Sequence, residues 1–163
     1  MSTVRFEEKQ RFRQAWIYAA LFVLDVPVTA FLGLVIVASA ESVADAAWIL
    51  VLVAALVAGG FLLVYVCSLR ISVTDDVVRF RFFPFHLRER RIPSEEIESV
   101  QRGRDDNWPS GLGVRWTPHG WHYRVSLEGG VSLERTTGKP VFLGSEHEDE
   151  LYRAIQEASR LAR

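Results

Sequence analysis

Hydrophobic and polar positions follow two different rules along this chain. From Ala15 to Leu69 there are three acids (Asp25, Glu41 and Asp45) and neither lysine nor arginine. Ala46 to Leu69 reads AAWILVLVAALVAGGFLLVYVCSL without a charge, and Ala15 to Ala40 is similar apart from Asp25. At ~1.5 Å rise per residue, either run forms a helix that covers the ~30 Å hydrocarbon layer of a bilayer. A helix also satisfies every backbone amide within its own segment, as hydrocarbon demands. The pattern predicts a two-helix transmembrane hairpin over residues 15–69, with spans at about 15–38 and 46–69 and a tight turn between them.

After Arg70 the period changes to two. In Val77–Phe83, Phe80 and Phe82 fall on one face and Arg79 and Arg81 on the other, the mark of a half-buried strand. Ile71–Thr74 precedes it across an Asp75-Asp76 turn. Further short strands are expected at 86–92, 96–104, 112–116, 121–127, 131–135 and 140–143, separated by Gly- and Pro-marked turns. Their even spacing predicts a small, mostly antiparallel β-barrel or sandwich. One helix closes the chain. Ser145 and Glu148 have capping-box spacing, and Glu146, Glu148, Asp149 and Glu150 precede Arg160 and Arg163 in the order that suits the helix dipole. Leu151, Ile155, Ala158 and Ala162, flanked by Ala154 and Leu161, make an apolar stripe suited to cover an open end of the barrel. The expected fold class is α+β, in three parts: a cytoplasmic N-terminal segment (1–14), the hairpin (15–69) and a cytoplasmic domain (71–163).

Charge placement sets the expected topology. Arg5, Lys9, Arg11 and Arg13 precede the first span, Arg70 follows the second, and the intervening loop has no basic residue. The positive-inside rule puts both termini in the cytoplasm, giving a multi-pass protein of the cell membrane. Trp16, Tyr18, Trp48 and Tyr65 sit near the ends of the runs, where interfacial anchors belong. The first run is too long for a secretory signal, whose apolar core is about 7–15 residues. A formal net charge of -1 and the lack of a basic run exclude a nucleic-acid partner.

Candidate chemistry is sparse. Cys67 is the sole cysteine, so no disulfide framework and no thiolate zinc site can form. His119 and His122 flank a turn, His86 stands alone, and the H-E-D-E string at His147 lacks the second histidine of a metalloprotease helix. There is no nucleophile elbow and no phosphate-binding loop. No catalytic residue, metal or cofactor is expected. Asp25 lies about ten residues into the first span, two before Pro27. A carboxylate at that depth costs ~2.5–3.5 kcal/mol on insertion scales. Antiparallel pairing would put it opposite Gly59 and Gly60, on a small-residue face where another helix can approach. Two readings stand: a structural or oligomer contact, and a proton or ion path through oligomerised hairpins. In the polar domain, Arg79, Arg81, Arg88 and Arg90 are expected to share a face that looks back at the bilayer, each worth roughly 1 kcal/mol near an anionic leaflet. The competing expectation pairs them with Glu89, Glu95, Glu96 and Glu98. Trp108, between Asn107 and Pro109, is a candidate contact to lipid or to a partner, while Trp116 and Trp121 are expected in the core.

Several segments carry a resemblance: Ile71–Thr74, Arg91-Ile92-Pro93 with Ile97, Gly111–Arg115, Gly130–Leu133, and Gly138–Gly144 ahead of the helix. With about seven strands and a C-terminal helix, the polar domain resembles the pleckstrin-homology-like (PH-like) fold of bacteria. The whole layout is similar to uncharacterised prokaryotic membrane proteins that join a helical hairpin to such a domain. The resemblance implies binding to lipids, peptides or proteins, and implies no catalytic residue. The expected function is a non-enzymatic, membrane-anchored interaction or scaffold protein. Its expected partners are membrane lipids and either a second copy or another membrane protein. The alternative is a small transporter or channel subunit that uses Asp25.

Overall fold

The computed structural model describes residues 3–40, 42–103, 112–117, 120–126 and 128–162, with the backbone alone for residue 161. The chain divides into two units: residues 12–66, and the residues up to Arg11 together with those from Cys67 onward.

The first unit consists of α1 (Ala15–Ser39) and α2 (Val43–Val66). α2 begins three residues before the expected span because Ser42 caps it. The Ser42 hydroxyl accepts the Asp45 N–H (3.1 Å) and donates to the Asp45 carboxylate (2.6 Å), satisfying a donor the first turn would leave free. It also ends three residues early, because Ser68 and Leu69 are taken into a strand. Neither helix has a buried residue. Leu24, Leu34, Leu52 and Leu56 are 65–79% exposed, so apolar side chains face outward around the pair rather than along one stripe. Both helices are long and apolar enough to cross a membrane.

The second unit contains β1 (Val4–Arg11), β2 (Ser68–Thr74), β3 (Val77–Phe83), β4 (Arg90–Pro93), a 3-10 turn at Ser94–Glu96, β5 (Ile97–Arg102), β6 (Gly113–Thr117), β7 (Gly120–Arg124), β8 (Gly129–Arg135), β9 (Val141–Ser145) and α3 (Glu148–Leu161). Strands β1-β2-β3-β4 form one sheet and β5-β8-β9-β7-β6 the other, antiparallel except for the β7–β9 pair. The sheets do not close into the barrel that strand spacing suggested. Instead α3 packs across both, against the edge strands β1 and β5 as well as β2, β8 and β9. Leu151, Ala154, Ile155 and Ala158 are its buried stripe, while Ala162, the C-cap, is exposed. These residues join Leu69, Ile71, Val73, Val78 and Phe82 of the first sheet and Tyr123, Val131, Leu133 and Leu143 of the second. Phe80 touches Tyr123 across the gap, ring centroids 4.9 Å apart. Each fully buried aliphatic side chain stabilises by about 1.5–3 kcal/mol.

Two further departures from the sequence reading concern the ends of the chain. The N-terminal segment is not separate: β1 pairs antiparallel with β2 along its length, with Arg11 opposite Ser68, Lys9 opposite Arg70 and Glu7 opposite Ser72. The chain therefore leaves this sheet at Arg11 and returns to it at the neighbouring position, Ser68. The capping box is not formed either, because Ser145 belongs to β9 and its hydroxyl donates to Glu8 of β1 (2.6 Å). Gly120 at the start of β7 has φ +122, and a Cβ there would sit 2.0 Å from the Pro140 carbonyl oxygen, which accepts the Trp121 N–H (3.0 Å).

Candidate functional site

The outward face of the first sheet follows from strand alternation. Phe6, Glu8 and Gln10 of β1, Leu69, Ile71 and Val73 of β2, and Val78, Phe80 and Phe82 of β3 point inward and are buried. The residues between them point the other way, and register sets them in rows. Lys9, Arg70 and Arg81 are directly opposite one another on three neighbouring strands. Ser72 separates Glu7 from Arg79, and Arg79 is opposite Arg91 of β4. Arg11, Ser68 and Phe83 complete the face. Among the described residues no ion pair joins Lys9, Arg11, Arg70, Arg79, Arg81 or Arg91 to a carboxylate. Like charges directly opposite each other in a ladder are destabilising, by roughly 0.2–1 kcal/mol per pair.

The four arginines expected on one face divide. Arg79 and Arg81 share this face. Arg88 lies in the exposed turn between β3 and β4, which interrupts the alternation. Arg90 is opposite Phe80 in register and so belongs to the other side of the sheet, where its guanidinium lies 5.5 Å from the centre of the Trp121 ring. Arg70, Arg91, Lys9 and Arg11 take the vacated places. Of the acids proposed to neutralise the arginines, Glu96 pairs instead with Arg135 (2.6 Å), which holds its carboxyl below the usual glutamate range. Trp108 lies outside the described residues. Trp116 is not a core residue: it is 57% exposed, with the Lys139 ammonium 4.5 Å from its ring centre. Trp121 is half-buried, stacked against Tyr123.

Within the helical unit, Asp25 lines a groove with Leu21, Leu24, Ala55, Gly59 and Gly60. A Cβ on either glycine would meet nothing within 4 Å, so the pair leaves a notch beside the carboxylate. The antiparallel arrangement expected from the sequence is the one observed here.

A polar cluster that sequence reasoning missed ties β1 to the start of α3. Glu8 is 9% exposed. Its carboxylate accepts from the Ser145 hydroxyl (2.6 Å) and the Glu146 N–H (3.1 Å), and lies 3.3 Å from His147 Nδ1. Ser145 Oγ in turn accepts the His147 N–H (3.0 Å). Gln10, 2% exposed, donates to the Gly144 carbonyl at 2.8 Å. The Glu8 hydrogen bond raises the His147 pKa. At the other end of β1, Arg5 bonds both Asp75 and Glu157 (2.6 Å to the latter), which lowers the Asp75 pKa. These bonds orient the strand that carries Lys9 and Arg11.

Among the described residues, no three His, Cys, Asp or Glu side chains come together in a way that would hold a metal ion. Comparison with protein-family models, curated proteins and solved structures gives no match.

Proposed function

We propose that this protein is a membrane-anchored interaction module without enzymatic chemistry of its own. In this reading α1 and α2 anchor it in the cell membrane with both termini cytoplasmic, and its two-sheet, PH-like domain meets anionic lipid headgroups through the outward face of β1–β4. The observation that carries the reading is the row Lys9–Arg70–Arg81. Three cations aligned across neighbouring strands, with no carboxylate paired to them among the described residues, disfavour the fold unless an external anion is present. Bilayer headgroups supply such anions at roughly 1 kcal/mol per basic side chain. Arg11 lies four positions before the start of α1 and Arg70 four positions after the end of α2, so the chain itself tethers these charges near the ends of the anchors. The PH-like part of the reading is supported by the paired antiparallel sheets and the C-terminal helix. Self-association of the hairpin or a membrane-protein partner completes the scaffold role.

The chain's two lysines provide the test, since Lys9 is on the face and Lys139 is not. In nanodiscs containing phosphatidylglycerol, amine acylation of Lys9 should be several-fold slower than in phosphatidylcholine nanodiscs, with Lys139 unchanged. Replacing Arg70 and Arg81 by Gln should erase the difference. Equal Lys9 rates in the two lipids would overturn the lipid contact.

A second reading, the transporter or channel subunit, is favoured by the notch that Gly59 and Gly60 open beside Asp25. It requires hairpins to assemble. Asp25→Asn separates the two: lost proton or ion leak in proteoliposomes supports transport, whereas lost assembly without any leak in the parent protein supports the scaffold.

A further inference from the structure

On the side of β4 away from the basic face lies a cleft of about 330 Å³, between β4 and the strands β7 and β9 of the second sheet. Arg90, Arg135 and Lys139 wall it, over a floor that includes Phe80 and Trp121, while Arg91 borders it from β4 with its side chain on the outward face. Glu96 occupies Arg135. Arg90 and Lys139 have no carboxylate partner among the described residues. Both heads are held in place without being neutralised, Arg90 over Trp121 and Lys139 over Trp116. Arg135 Nε is buried and has no hydrogen-bond partner among the described residues, a donor left over in a wall built of donors. Phe80 is 3% exposed and Trp121 half-buried, so the floor offers no competing carboxylate.

We propose that this cleft binds a phosphate group carrying at least two negative charges, a phosphomonoester or diphosphate, with Arg90 and Lys139 as its ligands. A single carboxylate would leave one of the two cations unbalanced, whereas a phosphate dianion matches both and suits the bidentate arginine fork. The volume is at the small end of ligand sites, matching a compact anionic group rather than a long chain. The phosphate comes either from a soluble phosphorylated molecule or from a phosphomonoester lipid headgroup. Arg90 and Lys139 do not belong to the sheet face invoked for membrane contact, so the two proposals fail separately.

The test is calorimetric titration of sodium pyrophosphate into the full chain, held in phosphatidylcholine nanodiscs at physiological ionic strength. Saturable binding is expected, weakened about tenfold or more by Arg90→Gln with Lys139→Gln, since bonds to charged groups contribute about 1.5–3 kcal/mol each. Arg70→Gln with Arg81→Gln should leave the affinity within about twofold, as screening predicts for charges outside the cleft. Absence of saturable binding overturns the proposal, and so does equal weakening by both pairs. Repeating the titration in nanodiscs that contain phosphatidic acid identifies the source. Weakened pyrophosphate binding there supports a lipid headgroup in the cleft, and undiminished binding supports a soluble phosphate. The Lys9 acylation experiment, repeated on the Arg90/Lys139 variant, should give the parent result.

Discussion

The Ser145 hydroxyl donates to the Glu8 carboxylate at 2.6 Å, joining residues 137 positions apart. Through this bond the first strand of the sheet unit supplies the acceptor that the approach to its last helix lacks. The N-cap residue His147 makes no side-chain cap bond of its own, its N–H goes to the Ser145 hydroxyl, and Glu8 receives the Glu146 N–H as well.

Glu8→Ala strands a buried hydroxyl and a backbone N–H, and should destabilise the sheet unit by about 2–3 kcal/mol. Glu8→Gln keeps one acceptor and should lose less than half as much. Urea unfolding of the detergent-solubilised chain, followed by circular dichroism, measures both. Equal stability of Glu8→Ala and the parent would show that the cluster is not structural.

His147 makes part of this stability depend on pH. Its pKa is raised in the fold, first by the hydrogen bond to Glu8 and then by the charges of Glu8, Glu150 and Glu146. A raised pKa means the folded chain holds the proton more tightly than the unfolded one. The contribution is therefore complete below the ordinary imidazole value of 6.5 and disappears as pH rises through the higher folded-state value. His86 has the opposite slope, its pKa lowered by burial and by Arg90, so it weakens the fold as pH falls below 6.5. The stability difference between the parent and His147→Gln isolates the first term and should shrink with rising pH. A difference that is constant from acid to mildly alkaline pH would contradict the Glu8–His147 pairing.

Gly120→Ala should be severe. The added methyl meets the Pro140 carbonyl oxygen at 2.0 Å from a backbone that L-residues rarely adopt. A loss of about 3 kcal/mol or more is expected, combining backbone strain with overpacking. Gly59→Ala, where the same methyl meets open space, is the control and should change the melting temperature little.

The register of β1 predicts how the sheet unit can be isolated. A chain in which residues 12–66 are replaced by a Gly-Ser linker of about four residues should fold without the helices, because Arg11 and Ser68 are directly opposite. A chain beginning at Cys67 lacks the partner of β2 and half of the Glu8 cluster, and should give a collapsed, poorly dispersed amide spectrum. Identical spectra from the two chains would mean that β1 is dispensable.

The sequence made the helices and β3 legible because each follows a single rule. Apolar residues all round give the first, and strict alternation in Val77–Phe83 gives the second. It failed on β1 for a physical reason: two of the inward positions hold Glu8 and Gln10, whose partners Ser145 and Gly144 lie more than a hundred residues away. An apolar–polar reading sees a charged tail there. The same blind spot hid Lys9 and Arg11 from the basic face, and treating Leu69 as lipid-facing hid Arg70. Arg90 was misplaced because alternation counted through residues 84–89 continues across a turn that resets it. Alternation placed Arg79 and Arg81 on one face, but only pairing shows which cations are neighbours.

Because the sheet is spliced from a piece made before the hairpin and a piece made after it, its completion reports on how the hairpin was threaded. If the anchors lie in a bilayer, a nascent chain that passes only one helix through would leave Val4–Arg11 and Ser68–Thr74 in different compartments, with no ladder to form. Only an even number of crossings lets the two pieces meet, so correct insertion becomes a precondition for the fold.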